Sequence, residues 1–268
     1  MNIKALLHST MSQHPIDVLD AQLLLVHILD KNRAWLIAHD DHVLSDNQVQ
    51  QYQQLTKQRA QGVPLAYLIG YKEFWGRTFK VTRDTLIPRP ETELLIEHAL
   101  QLQPRTVLDM GTGTGIIAIT LAKAWHDCSV TASDISNQAL AVARCNAEIH
   151  KVKNIHFACS SWYTNIDGQF DLIISNPPYI AEEDSHLQAL QYEPRKALTA
   201  PQSGLQDIQE IIEGASAHLN ENGWLMLEHG YDQQNSVQQL FKQMEFKAVE
   251  TIKDLAGWPR ISMGQKRI

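Results

Sequence analysis

The chain has 268 residues, of which 44% are apolar and 20% are charged. This is the composition of a folded globular protein, and it excludes an intrinsically disordered chain, a collagen-like repeat and a pure coiled coil. The formal net charge of −7 argues against broad, salt-driven binding to nucleic acid, because that mode of binding needs a basic face.

The sequence predicts neither a signal peptide nor a membrane span. Polar or charged residues interrupt every apolar stretch near the N-terminus, and no apolar run reaches the length of a membrane helix. Cys128, Cys145 and Cys159 are far apart and form no CxxC pair. Such cysteines are typical of a reduced, cytoplasmic protein. We therefore expect a cytoplasmic protein, and we find no convincing metal-ligand motif.

Residues 1–72 are predicted to form a small bundle of four or five short helices. Apolar residues recur at intervals of three and four between residues 19 and 29. Ser45 is a suitable N-cap for a glutamine-rich helix, and the Gly-Val-Pro sequence at 62–64 marks the end of that helix. This part has six basic and six acidic side chains, so the whole net charge falls in residues 73–268.

Residues 73–90 are predicted to form a structured connector. The segment 74–81 is aromatic and β-branched around Gly76, which favours a short hairpin. The segment 86–90 should be extended, because each of its two prolines pushes the preceding residue out of the helical region.

From residue 91 to 268, apolar runs of strand length alternate with helical patterns. The runs lie at 106–110, 129–133, 155–159, 171–175, 224–228, 246–252 and 261–263, and the helical patterns include 116–125, 138–149, 205–219 and 233–244. This alternation predicts a doubly wound α/β fold with a mostly parallel sheet. The last two strands are separated by too few residues for a crossover, so the last strand should pair antiparallel.

A glycine-rich loop at 111–115 follows the first strand of this sheet and precedes a helix. Alternate glycines allow a tight turn and a close approach of the backbone to a ligand at a helix N-terminus. The pattern is GxGxG, and Ile116 replaces the third glycine of the dinucleotide-binding GxGxxG motif. Asp134 ends the second strand, where a carboxylate can accept hydrogen bonds from both hydroxyls of a ribose. These features predict a ribose-bearing cofactor, and S-adenosylmethionine fits them better than NAD.

The most informative motif is Asn176-Pro177-Pro178-Tyr179, which directly follows an apolar strand at the carboxyl edge of the sheet. A planar NH2 group could donate one hydrogen bond to the Asn176 side-chain oxygen and another to the Pro177 carbonyl. Tyr179 could stack over the plane of that group. Such a clamp would orient the nitrogen lone pair toward a sulfonium methyl group, so that catalysis depends mainly on positioning.

The segments 109–115 and 176–179 together resemble the amino-methyltransferases of the class I S-adenosylmethionine-dependent fold. Three further segments resemble the PrmC/HemK family: Arg-Pro-Glu-Thr-Glu at 89–93, Tyr-Glu-Pro at 192–194 and Leu-Glu-His-Gly at 227–230. The resemblance covers residues 72–268 by motif, and the N-terminal part only in kind and size. Met110, in place of a commoner leucine, is a conservative departure from the core motif.

The resemblance implies a class I methyltransferase domain with a seven-stranded sheet at 91–268, preceded by a helical domain. That family methylates the side-chain amide nitrogen of the glutamine in the Gly-Gly-Gln motif of class I peptide chain release factors. It implies cofactor contacts at Gly111, Thr112, Gly113, Thr114, Gly115, Asp134, Trp162 and Asn176, and substrate contacts at Asn176, Pro177, Pro178 and Tyr179. The catalytic residues are then Asn176, Pro177 and Tyr179. We expect a monomer whose residues 1–72 bind the release factor, without direct contact to nucleic acid or membrane.

Other functions remain open at this point. A glutamine methyltransferase acting on a ribosomal protein would use the same clamp, and so would an adenine amino-methyltransferase acting on DNA, although the latter needs a basic cleft for a flipped base. A cofactor-binding protein without catalysis and a NAD-linked oxidoreductase fit the motifs less well. Arg89 and Glu91 could close over the cofactor or form a structural ion pair. His229 could be structural, and the sequence assigns no catalytic base.

Overall fold

The computed structural model describes residues 1–267 and divides the chain into two compact units, Met1–Tyr71 and the part from Lys72 onward. Among the described residues, no helix combines the length and apolar character that a bilayer-crossing segment requires.

The fully described N-terminal unit consists of five helices, which confirms the predicted bundle. They are α1 (Ile3–Gln13), α2 (Val18–Leu29), α3 (Arg33–Ala38), α4 (Asp46–Ala60) and α5 (Leu65–Ile69). Ser45 caps α4 as predicted, and its side chain and that of Gln48 form a reciprocal capping box. The helices enclose their own apolar core, in which Leu24, Leu25 and Tyr52 are fully buried.

The hairpin predicted at 74–81 is present at 71–80, and all of it except Tyr71 belongs to the large unit. Its strands are β1 (Tyr71–Phe74) and β2 (Arg77–Lys80), joined by Trp75 and Gly76 with φ angles of 50° and 64°. Two consecutive left-handed residues suit the twist of a tight hairpin. Phe74 and Phe79 are buried in the core of the large unit. Residues 81–91, which follow the hairpin, contain neither helix nor strand.

Nine further strands lie in the described part of the large unit. They are β3 (Thr106–Met110), β4 (Ser129–Asp134), β5 (Ile155–Cys159), β6 (Phe170–Ser175), β7 (Ile180–Ala181), β8 (Thr199–Ala200), β9 (Leu219–Glu228), β10 (Lys247–Lys253) and β11 (Pro259–Gln265). Seven of them form one sheet in the order β10-β11-β9-β6-β3-β4-β5, and β7 and β8 form a separate parallel pair. The last strand, β11, runs antiparallel to both of its neighbours, and the other pairs in the sheet are parallel. The predicted fold class is confirmed.

Helices cover both faces of the sheet. They are α6 (Thr92–Ala99), α7 (Ile116–Ala124), α8 (Asn137–Ile149), the short turn α9 (Pro201–Gly204), α10 (Gln206–His218) and α11 (Gln234–Gln243). The helices α6, α7 and α8 contribute to one apolar cluster, and α10 and α11 contribute to a second. Helices on both faces are the mark of a doubly wound sheet. The sequence analysis predicted α7, α8, α10 and α11, but not α6.

The strand directions place four loops at one edge of the sheet. Met110, at the end of β3, pairs with Ser175, at the end of β6, and Ser175 pairs with Leu227 near the end of β9. On the other side of β3, Met110 pairs with Ser133 near the end of β4. The segments that follow these four parallel strands therefore meet at the carboxyl edge, where doubly wound folds bind ligands.

Candidate active site

The glycine-rich loop between β3 and α7 takes a conformation that only glycine adopts easily. Gly111, Gly113 and Gly115 have φ angles of 68°, 54° and 82°. A Cβ atom on Gly115 would lie 2.9 Å from Ile119 Cδ1 and 3.2 Å from the Cβ of Ala143. The loop is therefore closely packed against α7 and α8, and its backbone turns sharply at the carboxyl edge.

Asp109, one residue before the end of β3, ties this loop to α7. Its Oδ2 accepts hydrogen bonds from the Thr112 hydroxyl at 2.6 Å and from the Ala118 N–H at 3.1 Å. Its Oδ1 is buried and has no hydrogen-bond partner within residues 1–267. Complete burial raises the pKa of Asp109 to about 7, while the two hydrogen bonds oppose the shift.

Asp134 lies at the end of β4, as predicted, and contacts the glycine loop. Its Oδ2 accepts the Gly113 N–H at 2.9 Å, and its Oδ1 accepts the Ser136 N–H at 2.8 Å. Burial raises the pKa of Asp134, and the backbone hydrogen bonds moderate the shift. Each carboxylate oxygen has a second lone pair. The side chain can therefore still accept hydrogen bonds from two ligand hydroxyls. Ser136 caps α8, so that Asp134 is not needed for capping.

Trp162 packs against the glycine loop at Gly111. A Cβ atom on Gly111 would lie 3.8 Å from Trp162 Cζ3, so the ring lies against bare glycine backbone. The indole N–H donates a hydrogen bond to Asp207 Oδ1 at 3.2 Å, which fixes the plane of the ring. The structure thus brings the glycine loop, Asp134 and Trp162 together. The sequence analysis did not identify Asp207, since nothing in its local pattern marks it as a partner of the tryptophan.

A cleft of about 270 Å³ opens beside the segment that follows β6. It is lined by Leu86, Arg89, Glu91, Asn176, Pro177, Tyr179, Ile180, Leu190, Ala197, Leu198 and Arg260. Three of the four predicted clamp residues are among them. Pro178 is not one of the residues, within 1–267, that line the cleft.

A chain of hydrogen bonds connects the two ends of the Asn-Pro-Pro-Tyr segment through one buried carboxylate. The Asn176 Nδ2 donates to Thr92 Oγ1 at 3.1 Å, and the Thr92 hydroxyl donates to Glu228 Oε2 at 2.8 Å. The Tyr179 hydroxyl donates to the other oxygen of Glu228 at 3.3 Å. Thr92 and Glu228 lie in two of the segments that carry the family resemblance, but the sequence analysis assigned no role to either residue.

The carboxyl group of Glu228 has an unusual environment for an acid. Burial raises its pKa to about 7 and exceeds the opposing effect of the hydrogen bonds from Thr92 and Tyr179. The charge of Glu91 raises this pKa further, whereas that of Arg260 lowers it. Burial and the neighbouring carboxylate also raise the pKa of the Tyr179 hydroxyl, which keeps it a hydrogen-bond donor.

Arg89 lines the cleft and forms an ion pair with Glu193. Its guanidinium lies 2.6 Å from Glu193 Oε1, and the other oxygen of Glu193 accepts the Ile87 N–H at 3.0 Å. Glu193 belongs to the Tyr-Glu-Pro motif. That motif therefore anchors the segment before α6 against the wall of the cleft.

His229 is held inside the fold through both of its ring nitrogens. It is fully buried, its Nε2 lies 2.9 Å from Ser262 Oγ, and its Nδ1 lies 2.8 Å from the Gly230 carbonyl oxygen. Burial lowers its pKa, which favours the neutral imidazole. In the described part of the chain, no cluster of three or more His, Cys, Asp or Glu side chains could hold a metal ion.

Two family models match the chain. The methyltransferase small domain matches residues 90–200, and the PrmC N-terminal domain matches residues 6–70. A release factor glutamine methyltransferase from Yersinia pestis is 44% identical over 251 residues, which cover 92% of this chain and 91% of that protein. The protein of the same description from Escherichia coli (strain K12) is 42% identical over 252 residues, with the same coverage of 92% and 91%.

Solved structures share the fold at low sequence identity. A methyltransferase from Pyrococcus furiosus has a TM-score of 0.59 at 19% identity, and the match covers 79% of this chain and all of that one. A ribosomal protein L11 methylase from Lactobacillus delbrueckii subsp. bulgaricus has a TM-score of 0.51 at 24% identity, and the match covers 67% of this chain and 81% of that one. These likenesses concern the architecture alone.

Proposed function

Because this chain belongs to the family of release factor glutamine methyltransferases, we propose that it methylates the glutamine of the Gly-Gly-Gln motif in class I peptide chain release factors. The methyl group comes from S-adenosylmethionine and is transferred to the side-chain amide nitrogen. The observation that carries this proposal is the Asn176 carboxamide, which lines a cleft with Pro177 and Tyr179 and whose nitrogen is held by Thr92.

The carboxyl edge of the sheet fits the cofactor. The glycine loop at 111–115 has bare backbone at three of its five positions, Asp134 has unused lone pairs for two ribose hydroxyls, and Trp162 lies beside the loop. S-adenosylmethionine supplies an electrophilic methyl group on a sulfonium centre. In our proposal these residues hold the cofactor so that its methyl group faces Asn176.

The cleft residues orient the substrate amide. The glutamine NH2 donates one hydrogen bond to Asn176 Oδ1 and one to the Pro177 carbonyl, while the Tyr179 ring covers the plane of the amide. Both acceptors would stabilise the positive charge that develops on nitrogen as the new C–N bond forms and the bond between sulfur and the methyl carbon breaks, with the neutral thioether as the leaving group. The nitrogen would then release one of its two protons to solvent water, which leaves the neutral N-methyl amide.

The charge of the protein supports a protein substrate over a DNA base. The large unit carries −6 of the net charge of −7, and binding of duplex DNA requires a basic surface around the cleft. The relatives named as release factor enzymes support a release factor over a ribosomal protein. We expect a cytoplasmic monomer whose N-terminal helical unit binds the release factor.

Methyl transfer with labelled S-adenosylmethionine tests this function directly. The substrates are a class I release factor, the same factor with its Gly-Gly-Gln glutamine replaced by alanine, a ribosomal protein fraction and duplex DNA. We expect label only in the unaltered factor. Label in DNA or ribosomal protein, or equal label in the altered factor, would refute the proposal.

The Asn176→Ala variant tests the clamp. It should bind S-adenosylmethionine with a Kd within about threefold of the parent but transfer methyl groups about 10²- to 10³-fold more slowly, because a pre-organised partner of the reacting group is lost. Calorimetry and single-turnover transfer measure the two quantities. Full activity in this variant would show that Asn176 does not position the amide.

A further inference from the structure

We propose that Glu228 is a positioning residue for the amide clamp: it sets the orientation of the Asn176 carboxamide through Thr92 and holds Tyr179 with its second oxygen. This inference rests on the proposed function, in which Asn176 and Tyr179 contact the substrate amide. It assigns a role to two residues, Glu228 and Thr92, of which neither reaches the cleft.

The orientation of Asn176 follows from counting protons along the chain of hydrogen bonds. A threonine hydroxyl has a single proton, and Thr92 gives it to Glu228 Oε2 at 2.8 Å. The Thr92 oxygen can then only accept, so the group facing it must be a donor, which is the Asn176 NH2 at 3.1 Å. The Asn176 carbonyl oxygen consequently points away from Thr92, which leaves it free to accept from a substrate NH2.

The same carboxylate also fixes the other end of the clamp. The Tyr179 hydroxyl donates to Glu228 Oε1 at 3.3 Å, and this bond restrains the rotation of the ring. Asn176 and Tyr179 flank two prolines, whose backbone is stiff. One carboxylate therefore fixes the acceptor at the start of the motif and the aromatic plane at its end.

The positions of Glu228 and Thr92 are rigidly set. Glu228 is the last residue of β9, where it is paired with Ile261 of β11, and only 1% of its surface is exposed. Thr92 is equally buried at the start of α6, and its N–H donates to the Arg89 carbonyl at 3.2 Å. A buried polar network that is fully hydrogen-bonded restricts its members to one arrangement.

The charge state of Glu228 determines the direction of these hydrogen bonds. The ionised carboxylate accepts from both Thr92 and Tyr179, whereas the neutral acid must donate from one oxygen and can reverse the chain at Thr92. The charged side chains that influence it are Glu91 at the start of α6 and Arg260 on β11. Its pKa is near 7 because of burial. We therefore expect kcat to fall as the pH decreases below about 7.

Matched threonine substitutions test the relay. Thr92→Val keeps the shape of the side chain but removes the hydroxyl, and we expect kcat to fall about 10- to 100-fold, with KM for S-adenosylmethionine unchanged within about twofold. Thr92→Ser should recover kcat to within about threefold of the parent. The control is Thr120→Val in α7, where the buried hydroxyl has no partner in the described structure; its kcat should equal that of the parent.

The dependence of kcat on pH distinguishes a positioning role of Glu228 from a purely structural one, because a purely structural role would leave this dependence unchanged. Glu228→Gln cannot ionise, and its amide can accept from only one of the two hydroxyls. Its kcat should be low and should lack the decline below pH 7. Parental kcat in Thr92→Val, equal losses in the valine and serine variants, or an unchanged acid decline in Glu228→Gln would each overturn the inference.

Thermal unfolding separates this inference from the proposed function. If the parent protein transferred no methyl group to a release factor, the proposed function would fail, but the relay would still be tested by the melting temperatures. The double variant of Thr92→Val and Glu228→Gln should lose less in Tm than the sum of the two single losses, because the two residues share one hydrogen bond. Additive losses would overturn the relay whatever the substrate.

Discussion

Two carboxyl groups are buried near the carboxyl edge of the sheet, that of Asp109 in β3 and that of Glu228 at the end of β9, with β6 between the two strands. Burial raises the pKa of each to about 7. Both residues organise their surroundings through hydrogen bonds: Asp109 holds the glycine loop through Thr112, and Glu228 holds the clamp through Thr92. Both carboxyl groups therefore keep their protons up to a higher pH than an exposed carboxyl group does.

These raised pKa values predict that the free protein is less stable in alkaline than in mildly acidic solution. A carboxyl group whose pKa is about 7 in the folded chain and near 4 in the unfolded chain favours folding while it is protonated. That contribution is full below about pH 4 and is lost as the pH rises through 7. Relative to the parent, Asp109→Asn should gain at least about 2 °C in Tm at pH 8 but not at pH 5.

Thermal denaturation of both proteins from pH 5 to 8 checks this expectation. The two proteins share every other titratable group, so the difference between their Tm values reports on Asp109 alone. A Tm difference between Asp109→Asn and the parent that does not grow with pH would show that Asp109 is ionised throughout.

Among the secondary-structure elements, the hairpin and the glycine loop are connected by a single amide. Asn146 of α8 is fully buried. Its side chain accepts the Lys80 N–H at 2.7 Å and donates to the carbonyl oxygens of Lys80 and Thr114 at 3.0 and 2.9 Å. The end of β2 and the glycine loop are thus attached to the same point of α8.

We expect Asn146→Ala to weaken both the fold and cofactor binding. It leaves buried backbone groups of Lys80 and Thr114 without partners, which should cost about 2–4 kcal/mol in the free energy of unfolding. The loosened loop should raise the Kd for S-adenosylmethionine at least about fivefold, or about 1 kcal/mol. Urea denaturation and calorimetry measure the two effects.

Asn154→Ala is the matched control for this substitution. The Asn154 Nδ2 bonds the carbonyls of Ala122, Trp125 and Cys128 near the start of β4, at the opposite edge of the sheet from the glycine loop. It should also destabilise the fold, but change the Kd by less than about twofold. If both variants weakened binding equally, the effect would be one of global stability rather than of the loop.

The elements that the sequence predicted best are those with a strong local signal. The central strands β3 and β6 are runs of mostly apolar residues buried on both faces, and Ser45 carries a side chain suited to one position at a helix end. The helix α6 was missed because its short pattern follows a proline-rich segment, and β7 and β8 have only two residues each. The partners of Asn176 were not predictable, since Thr92 is 84 residues away in the chain and only the assembled sheet brings the two together.

At the scale of the whole molecule, the two units differ in their charge and in the candidate site residues that they contain. The N-terminal unit has its own apolar core and a formal charge of −1, whereas the large unit contains the cleft, the glycine loop and a formal charge of −6. The large unit thus contains every residue to which we assign a role in cofactor binding or methyl transfer.

A fragment of residues 70–268 tests whether methyl transfer and recognition of the release factor depend on different units. It retains all of β1 and the complete core of the large unit, so we expect its Kd for S-adenosylmethionine to equal that of the full chain within about twofold. Its kcat/KM for intact release factor should fall at least about tenfold, because the contacts of the helical unit are lost. For a short peptide that contains Gly-Gly-Gln, the fragment and the full chain should perform alike.

Methylation kinetics on the two substrates provide the measurement. Unchanged kcat/KM for the intact factor would show that residues 1–69 do not recognise it, and an equal loss on the peptide would place their effect in the catalytic unit.

The hydrogen bonds of the clamp join segments that are far apart in the chain, and this has a consequence for the protein during its own synthesis. Thr92 is separated from Glu228 by 136 residues, and Tyr179 by 49. A ribosome that builds the chain from its N-terminus completes the glycine loop and the Asn-Pro-Pro-Tyr segment well before it reaches Glu228. Until β9 takes its place between β6 and β11, the Asn176 amide has no carboxylate to orient it. The nascent chain therefore contains the residues to which we assign cofactor binding before it contains Glu228, and we expect methyl transfer only once the sheet is nearly complete.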